Sequence, residues 1–132
     1  MTRKPQKPTT SELEILHVLW SRGASTVREV QDALNLKKDM GYTGVLKLLQ
    51  IMTVKGMVRR DETNRAHVYE ARRPAGQTKR QLASDMLQRV FQGSASQLMM
   101  HALAGHRASP QEIEELRRVL DAYKEDDDGR AE

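Results

Sequence analysis

Tyr42 to Lys55 reads YTGVLKLLQIMTVK, and the fold turns on how this stretch is arranged. As a helix advancing about 100° per residue from Val45 at zero, it puts Leu48 at roughly 300°, Leu49 at roughly 40° and Met52 at roughly 340°. These four share one buried face. Thr43 then falls at roughly 160°, Lys47 at roughly 200° and Gln50 at roughly 140°, a polar strip opposite the core with no carboxylate in it. Thr and Gln donate and accept at base edges, and Lys reaches a guanine edge or a phosphate, so the strip suits a nucleic-acid groove. Tyr42 and Gly44 flank it, and the glycine lets a backbone come close. A solvated helix face can also lack acids over three positions by chance.

Working outward, the preceding residues form two short helices. Ser11 to Glu14 has the spacing of a capping box, so a helix starts there with Leu13, Leu16 and Trp20 as its buried stripe, widened by Ile15 and Leu19, and ends at Gly23. Ser25 or Thr26 caps a second helix with Val27, Val30 and Leu34 on its inner face, closing near Asn35. Downstream, Lys55-Gly56 closes the third helix with a cation and a residue tolerant of a left-handed cap. Met57 to Arg60 and His67 to Ala71 read as strands of a hairpin around Asn64, fastened by Val58, Val68 and Tyr69 and leaving Arg59, Arg60 and Arg65 free. Three arginines on a hairpin beside a helix indicate a winged helix-turn-helix. Arg72 to Gly76 is a basic punctuating linker.

Beyond it lie three helical segments. Leu82, Met86 and Val90, with Leu87 and Phe91, line one; Leu98 to Leu103 is almost continuously apolar; Ile113, Leu116, Leu120 and Tyr123 form a coiled-coil-like seam begun by Ser109 and Pro110. So much apolar surface on a short region favours self-association. The fold expected is mainly α with a small β-hairpin: a winged helix-turn-helix head plus a C-terminal helical dimerisation region. The boundaries are 1–9 for a basic flexible tail, 10–73 for the head, 74–124 for dimerisation and 125–132 for an acidic tail.

The chain has 132 residues, which excludes a large multi-domain enzyme. Residues 1–80 carry 16 Lys/Arg against 8 Asp/Glu, whereas residues 81–132 carry 6 against 10, so the head is basic and the remainder acidic. With a pI near 9.6, the basic half points to a polyanion, since lysines and arginines that neutralise phosphates release counterions. Lys37, Lys38, Arg59, Arg60 and Arg65 are the candidates for phosphates or a minor groove. There is no cysteine, which removes disulfides, thiol nucleophiles and thiolate metal sites. No apolar stretch approaches the roughly 18 residues of a membrane span. A cytoplasmic protein with no membrane partner is expected. The four histidines, His17, His67, His101 and His106, have no recognised metal spacing, and no triad or phosphate-cradling glycine pattern occurs, so neither enzyme activity, metal nor cofactor is expected. The alternative to a sequence-specific regulator is a dimeric protein-interaction or non-specific nucleic-acid-binding module with a basic head.

From Thr10 to Tyr123 the chain resembles the penicillinase-repressor family of bacterial transcriptional regulators, the BlaI/MecI/CopY group. The resemblance rests on TSELEILHVLW (Thr10 to Trp20), STVREVQDAL (Ser25 to Leu34), GYTGVLKLLQIM with VKGMV (Gly41 to Val58), HVYEA (His67 to Ala71) and SPQEIEELRRVL (Ser109 to Leu120), in that order and spacing. It implies a homodimer with winged-helix heads and interleaved C-terminal helices that binds palindromic double-stranded DNA operators and represses nearby genes. The helix with Tyr42, Thr43, Gly44 and Lys47 would be its reading helix. Family members often carry a second Thr in place of Gly44 and an Arg-Leu pair in place of Ile51-Met52, positions that bear on the operator read. Some relatives are inactivated by a sensor protease at an Asn-Phe bond, where this chain has His101-Ala102. Copper-responsive relatives use C-terminal cysteines, which are lacking here.

Overall fold

The computed structural model describes residues 6–130. Residues 1–5 of the N-terminal basic tail and residues 131–132 of the acidic one lie outside the described residues. Thr9 sets where the first helix begins: its hydroxyl accepts from the Glu12 amide at 3.2 Å, and its own amide donates to Glu12 Oε1 at 2.8 Å. Helix α1 therefore spans Thr10–Arg22, and the expected Ser11–Glu14 box is corrected to Thr9–Glu12. The two frames have equal spacing, and packing decides between them. Glu12 is buried and its carboxylate also takes Lys55 Nζ at 2.9 Å, whereas Glu14 meets Lys38 at the surface at 3.4 Å.

A second box, Thr26 with Glu29, starts α2 (Val27–Leu34), which closes at Asn35. Helix α3 spans Tyr42–Val54. The hairpin strands β2 (Val58–Asp61) and β3 (Val68–Ala71) are joined by a strand the sequence reading did not anticipate, β1 (Ser25–Thr26). The antiparallel order is β1-β3-β2, with Ser25 opposite Tyr69 and Thr26 opposite Val68. This strand fixes the hairpin to the start of α2. The core is Ile15, Leu16 and Leu19 of α1, Val27, Val30 and Leu34 of α2, Val45, Leu49 and Met52 of α3, and Met57, Val58 and Tyr69. Leu13, Trp20, Leu48 and Val68 are half-buried at its margin. His17 is exposed and stands edge-on to Trp20, with ring centres 5.4 Å apart. Three helices and a three-stranded sheet make a winged helix-turn-helix.

The basic stretch after β3 is tied down. Trp20 Nε1 donates to the Arg73 carbonyl at 2.9 Å and Arg73 Nη1 to the Gly56 carbonyl at 3.2 Å, and α4 (Ala75–Arg89) begins two residues later. The chain divides into two compact units, one through Ser84 and one from Asp85. In the second, Gln92 and Gly93 take positive φ of 52° and 85° and turn the chain into α5 (Ala95–Ala104), capped by Ser94. Ser109 then caps α6 (Pro110–Arg130), as its position before Pro110 indicated. Helix α6 continues through residues 125–130, the start of the acidic stretch.

Candidate nucleic-acid interface

Val45, Leu49 and Met52 are fully buried, so α3 turns the opposite face outward. Thr43, Lys47 and Gln50 are all exposed there, and the first turn carries no acidic residue. Gly44 is exposed, with nothing within 4 Å of where a Cβ would stand. Tyr42 is 46% exposed. Both ends of α3 are pinned. Before it, Asn35 Oδ1 accepts from the Met40 amide at 2.9 Å and Gln31 Nε2 donates to the Met40 carbonyl at 3.2 Å, which holds the turn between α2 and α3. After it, Gly56 adopts φ 79°, open to glycine at little cost, and the Met57 amide returns to the Met52 carbonyl at 2.9 Å. Lys55 ties this end to Glu12 of α1. Burial pushes the Glu12 carboxyl up, but the Thr9 amide and the Lys55 ammonium outweigh it and hold the group below its ordinary value.

The wing corrects one expectation. Arg59 and Arg60 are not free: Arg59 lies opposite Glu70 and pairs with it at 3.0 Å, and Arg60 pairs with Glu62. Arg60 also donates to the Tyr69 hydroxyl, which raises its already high pKa. The register sets Glu70 directly across from Arg59 on one face of the hairpin, while Arg60, the next residue along β2, points to the other face and meets Glu62 just beyond the strand. Arg65, in the loop between the strands, is exposed and has no ion pair among the described residues.

Between α3, the wing and the start of α2 lies a cleft of about 420 Å³. Tyr42 and Gln50 line it from α3, Arg60, Arg65 and His67 from the wing, and Arg28 from α2. The structure thus brings together four of the expected residues, Tyr42, Gln50, Arg60 and Arg65. Thr43, Gly44 and Lys47 sit on α3 outside this lining, and Arg59 faces away from it with Glu70. Lys37 and Lys38 are exposed in the turn before α3, Lys38 against Glu14. Arg28 was not singled out from the sequence. The signal was present: Val27, Val30 and Leu34 occupy the inner face of α2, which leaves Arg28 outside.

In the second unit no described side chain is buried. Met86, Val90, Leu103, Ile113, Leu120 and Tyr123 are 40% exposed or more, Tyr123 78%, while Leu98 and Leu116 are half-buried, as is Leu82 in the first unit. His101 packs against Phe91 and His106 Nε2 lies 3.0 Å from Glu112. Among the described residues no cluster of His, Asp or Glu could hold a metal ion, and no helix is long and apolar enough to cross a membrane.

Residues 8–122 match the penicillinase repressor family. A transcriptional regulator BlaI of Mycobacterium tuberculosis is 32% identical over 83% of this chain and 79% of its own. The methicillin resistance regulatory protein MecI of Staphylococcus aureus is 21% identical over 91% of this chain and 98% of its own. Among solved structures, the monomeric form of Bacillus licheniformis BlaI in complex with the blaP half-operator is 20% identical, covers 57% of this chain and 92% of that one, and has a TM-score of 0.49. With the matched segment running from before α1 into α6, the chain belongs to the penicillinase repressor family.

Proposed function

We propose that the chain is a sequence-specific DNA-binding transcriptional repressor, acting in the cytoplasm as a homodimer on palindromic operators. One observation carries the reading: a carboxylate-free strip of Thr43, Lys47 and Gln50 stands opposite a fully buried face, beside a cleft bordered by arginines. In a major groove Thr43 and Gln50 bond base edges and Lys47 takes a guanine edge or a phosphate. Tyr42 and Gly44 set how closely the helix approaches the backbone. Arg28 and Arg65 hold a phosphodiester in the cleft, and Lys37 and Lys38 meet phosphates beyond the start of α3. Arg59 and Arg60 exchange Glu70 and Glu62 for phosphates. Exposed ion pairs contribute little, so the exchange costs little.

Residues 10–73 form the reading head and residues 74–124 the self-association region. Unburied leucine, isoleucine, valine and methionine along α4 to α6 support a second copy as the cover, because large exposed apolar patches mark interaction sites. A two-fold dimer reads two half-sites about one helical turn, or a multiple, apart. The names of the related MecI and BlaI proteins, both regulators, support a regulatory role in preference to catalysis. A sensor protease acting at His101-Ala102 would meet that bond inside α5, whereas nicking favours exposed loop tips.

Replacing Gln50 with Ala tests the reading. The cost is about 1 to 3 kcal/mol on the preferred duplex and little on a scrambled one. Equal losses on both would leave Gln50 without a base-reading role.

A further inference from the structure

The outward face of α3 is not polar along its length. By the same helical step of about 100°, Val54 falls at roughly 180°, in the middle of the strip, and Ile51 at roughly 240°, beside Lys47 and on the edge of Gly44. Val54 is 89% exposed and Ile51 38%. Gly44 adds no side chain to that edge, and the space where its Cβ would stand is open. The edge of α3 away from the arginine cleft therefore carries one cation, Lys47, between a bare backbone and two branched aliphatic side chains. Neither aliphatic group suits phosphates, which take arginine, lysine and polar donors. A base pair offers one apolar group in the major groove, the C5-methyl of thymine.

We propose that Ile51 and Val54 read thymine methyl groups at the end of the half-site farthest from Thr43. The assignment rests on α3 being the base-reading helix, and it continues that surface by one turn. From Thr43 the helix rises about 12 Å to Ile51 and about 16 Å to Val54, or between three and five base-pair steps of about 3.4 Å. The methyls contacted therefore lie roughly that far along the groove from the base pair met by Thr43.

Uracil differs from thymine only by this methyl, so the test changes the DNA and leaves the protein's folding untouched. Each thymine of the preferred duplex, obtained by selection from random DNA, is replaced in turn by uracil, and affinity for the full chain is measured by fluorescence anisotropy. The expected result is about a fourfold loss at one or two thymines, the worth of one buried methyl. The loss should disappear in an Ile51→Ala, Val54→Ala variant, which should bind thymine and uracil operators alike. Uracil neutral at every position, or equally harmful to wild type and variant, overturns the assignment while selective binding leaves the reading of α3 standing. Neutral uracil with a changed association state in the variant overturns it in favour of a protein contact. Absence of any sequence preference overturns both readings together.

Discussion

The Glu12 carboxylate joins three parts of the head, and its removal has a magnitude that can be worked out. It accepts from the Thr9 amide at 2.8 Å and from Lys55 Nζ at 2.9 and 3.1 Å, while only 1% exposed. Glu12→Gln keeps an oxygen for Thr9, so the cap survives, and loses the charge that holds Lys55. Hydrogen bonds to charged groups contribute about 1.5 to 3 kcal/mol. Lys55 is 25% exposed and regains water when released, which trims the loss to about 1 to 2 kcal/mol. Urea unfolding of the full chain at one fixed protein concentration is the assay, because association adds to apparent stability. With Lys55→Met as the second change, a double-mutant cycle should return a coupling of about 1 to 2 kcal/mol. Additivity of the two changes within about 0.5 kcal/mol would refute the argument that this pair pins α3 to α1.

The same carboxylate gives the cycle a pH signature. Despite the burial that pushes it up, Glu12 titrates below its ordinary value of 4.5, through the Thr9 amide and Lys55. The unfolded chain therefore binds more protons in the window between the folded value and 4.5. The contribution is present above that ordinary value and disappears as pH falls through the folded one. Glu29, held down by the Thr26 amide, and Asp61, held down by the Thr63 hydroxyl, act in the same direction. The difference between wild type and Glu12→Gln isolates Glu12, and it should shrink on acidification.

Arg28→Ala should weaken binding about equally on preferred and scrambled duplexes and reduce the salt slope by roughly 1, as loss of one phosphate contact does; an unchanged slope would remove Arg28 from the interface. Leu116→Asp with Leu120→Asp should halve the mass seen by light scattering, since these residues lie along the apolar face of α6 and a buried unpaired charge is costly; a variant as large as wild type would place self-association elsewhere. Gly56→Ala should lower stability by about 1 kcal/mol or more, because its φ of 79° disfavours a side chain, and an unchanged midpoint would show that the turn rearranges freely.

Much of the head was legible because its periodicities are strong. Val45, Leu49 and Met52 are as buried as their helical positions require, and Thr26 and Ser109 begin their helices, and Asn35 closes its own, where their chemistry indicates. What failed to show was decided by partners distant in sequence. Thr9–Glu12 and Ser11–Glu14 have the same spacing, and the choice belongs to Lys55, 43 residues away. A two-residue strand such as β1 has no alternation to detect, and its pairing with β3 is visible only in the fold. Pairing of Arg59 with Glu70 depends on the hairpin register. Val54 is hidden for a different reason: hydrogen-bonding side chains mark the outward strip of α3, and an aliphatic side chain at its centre has no such signature although its helical angle is the same.

The central claim is that this head reads sequence, and its most direct test is selection from random duplex DNA near physiological salt, followed by titration of the winner and a scrambled duplex across a salt series. The account predicts an inverted repeat bound about 10³-fold or more above scrambled DNA, with half-sites separated by about one helical turn or a multiple. Enrichment of no sequence, with equal and steeply salt-dependent binding to both duplexes, would contradict it.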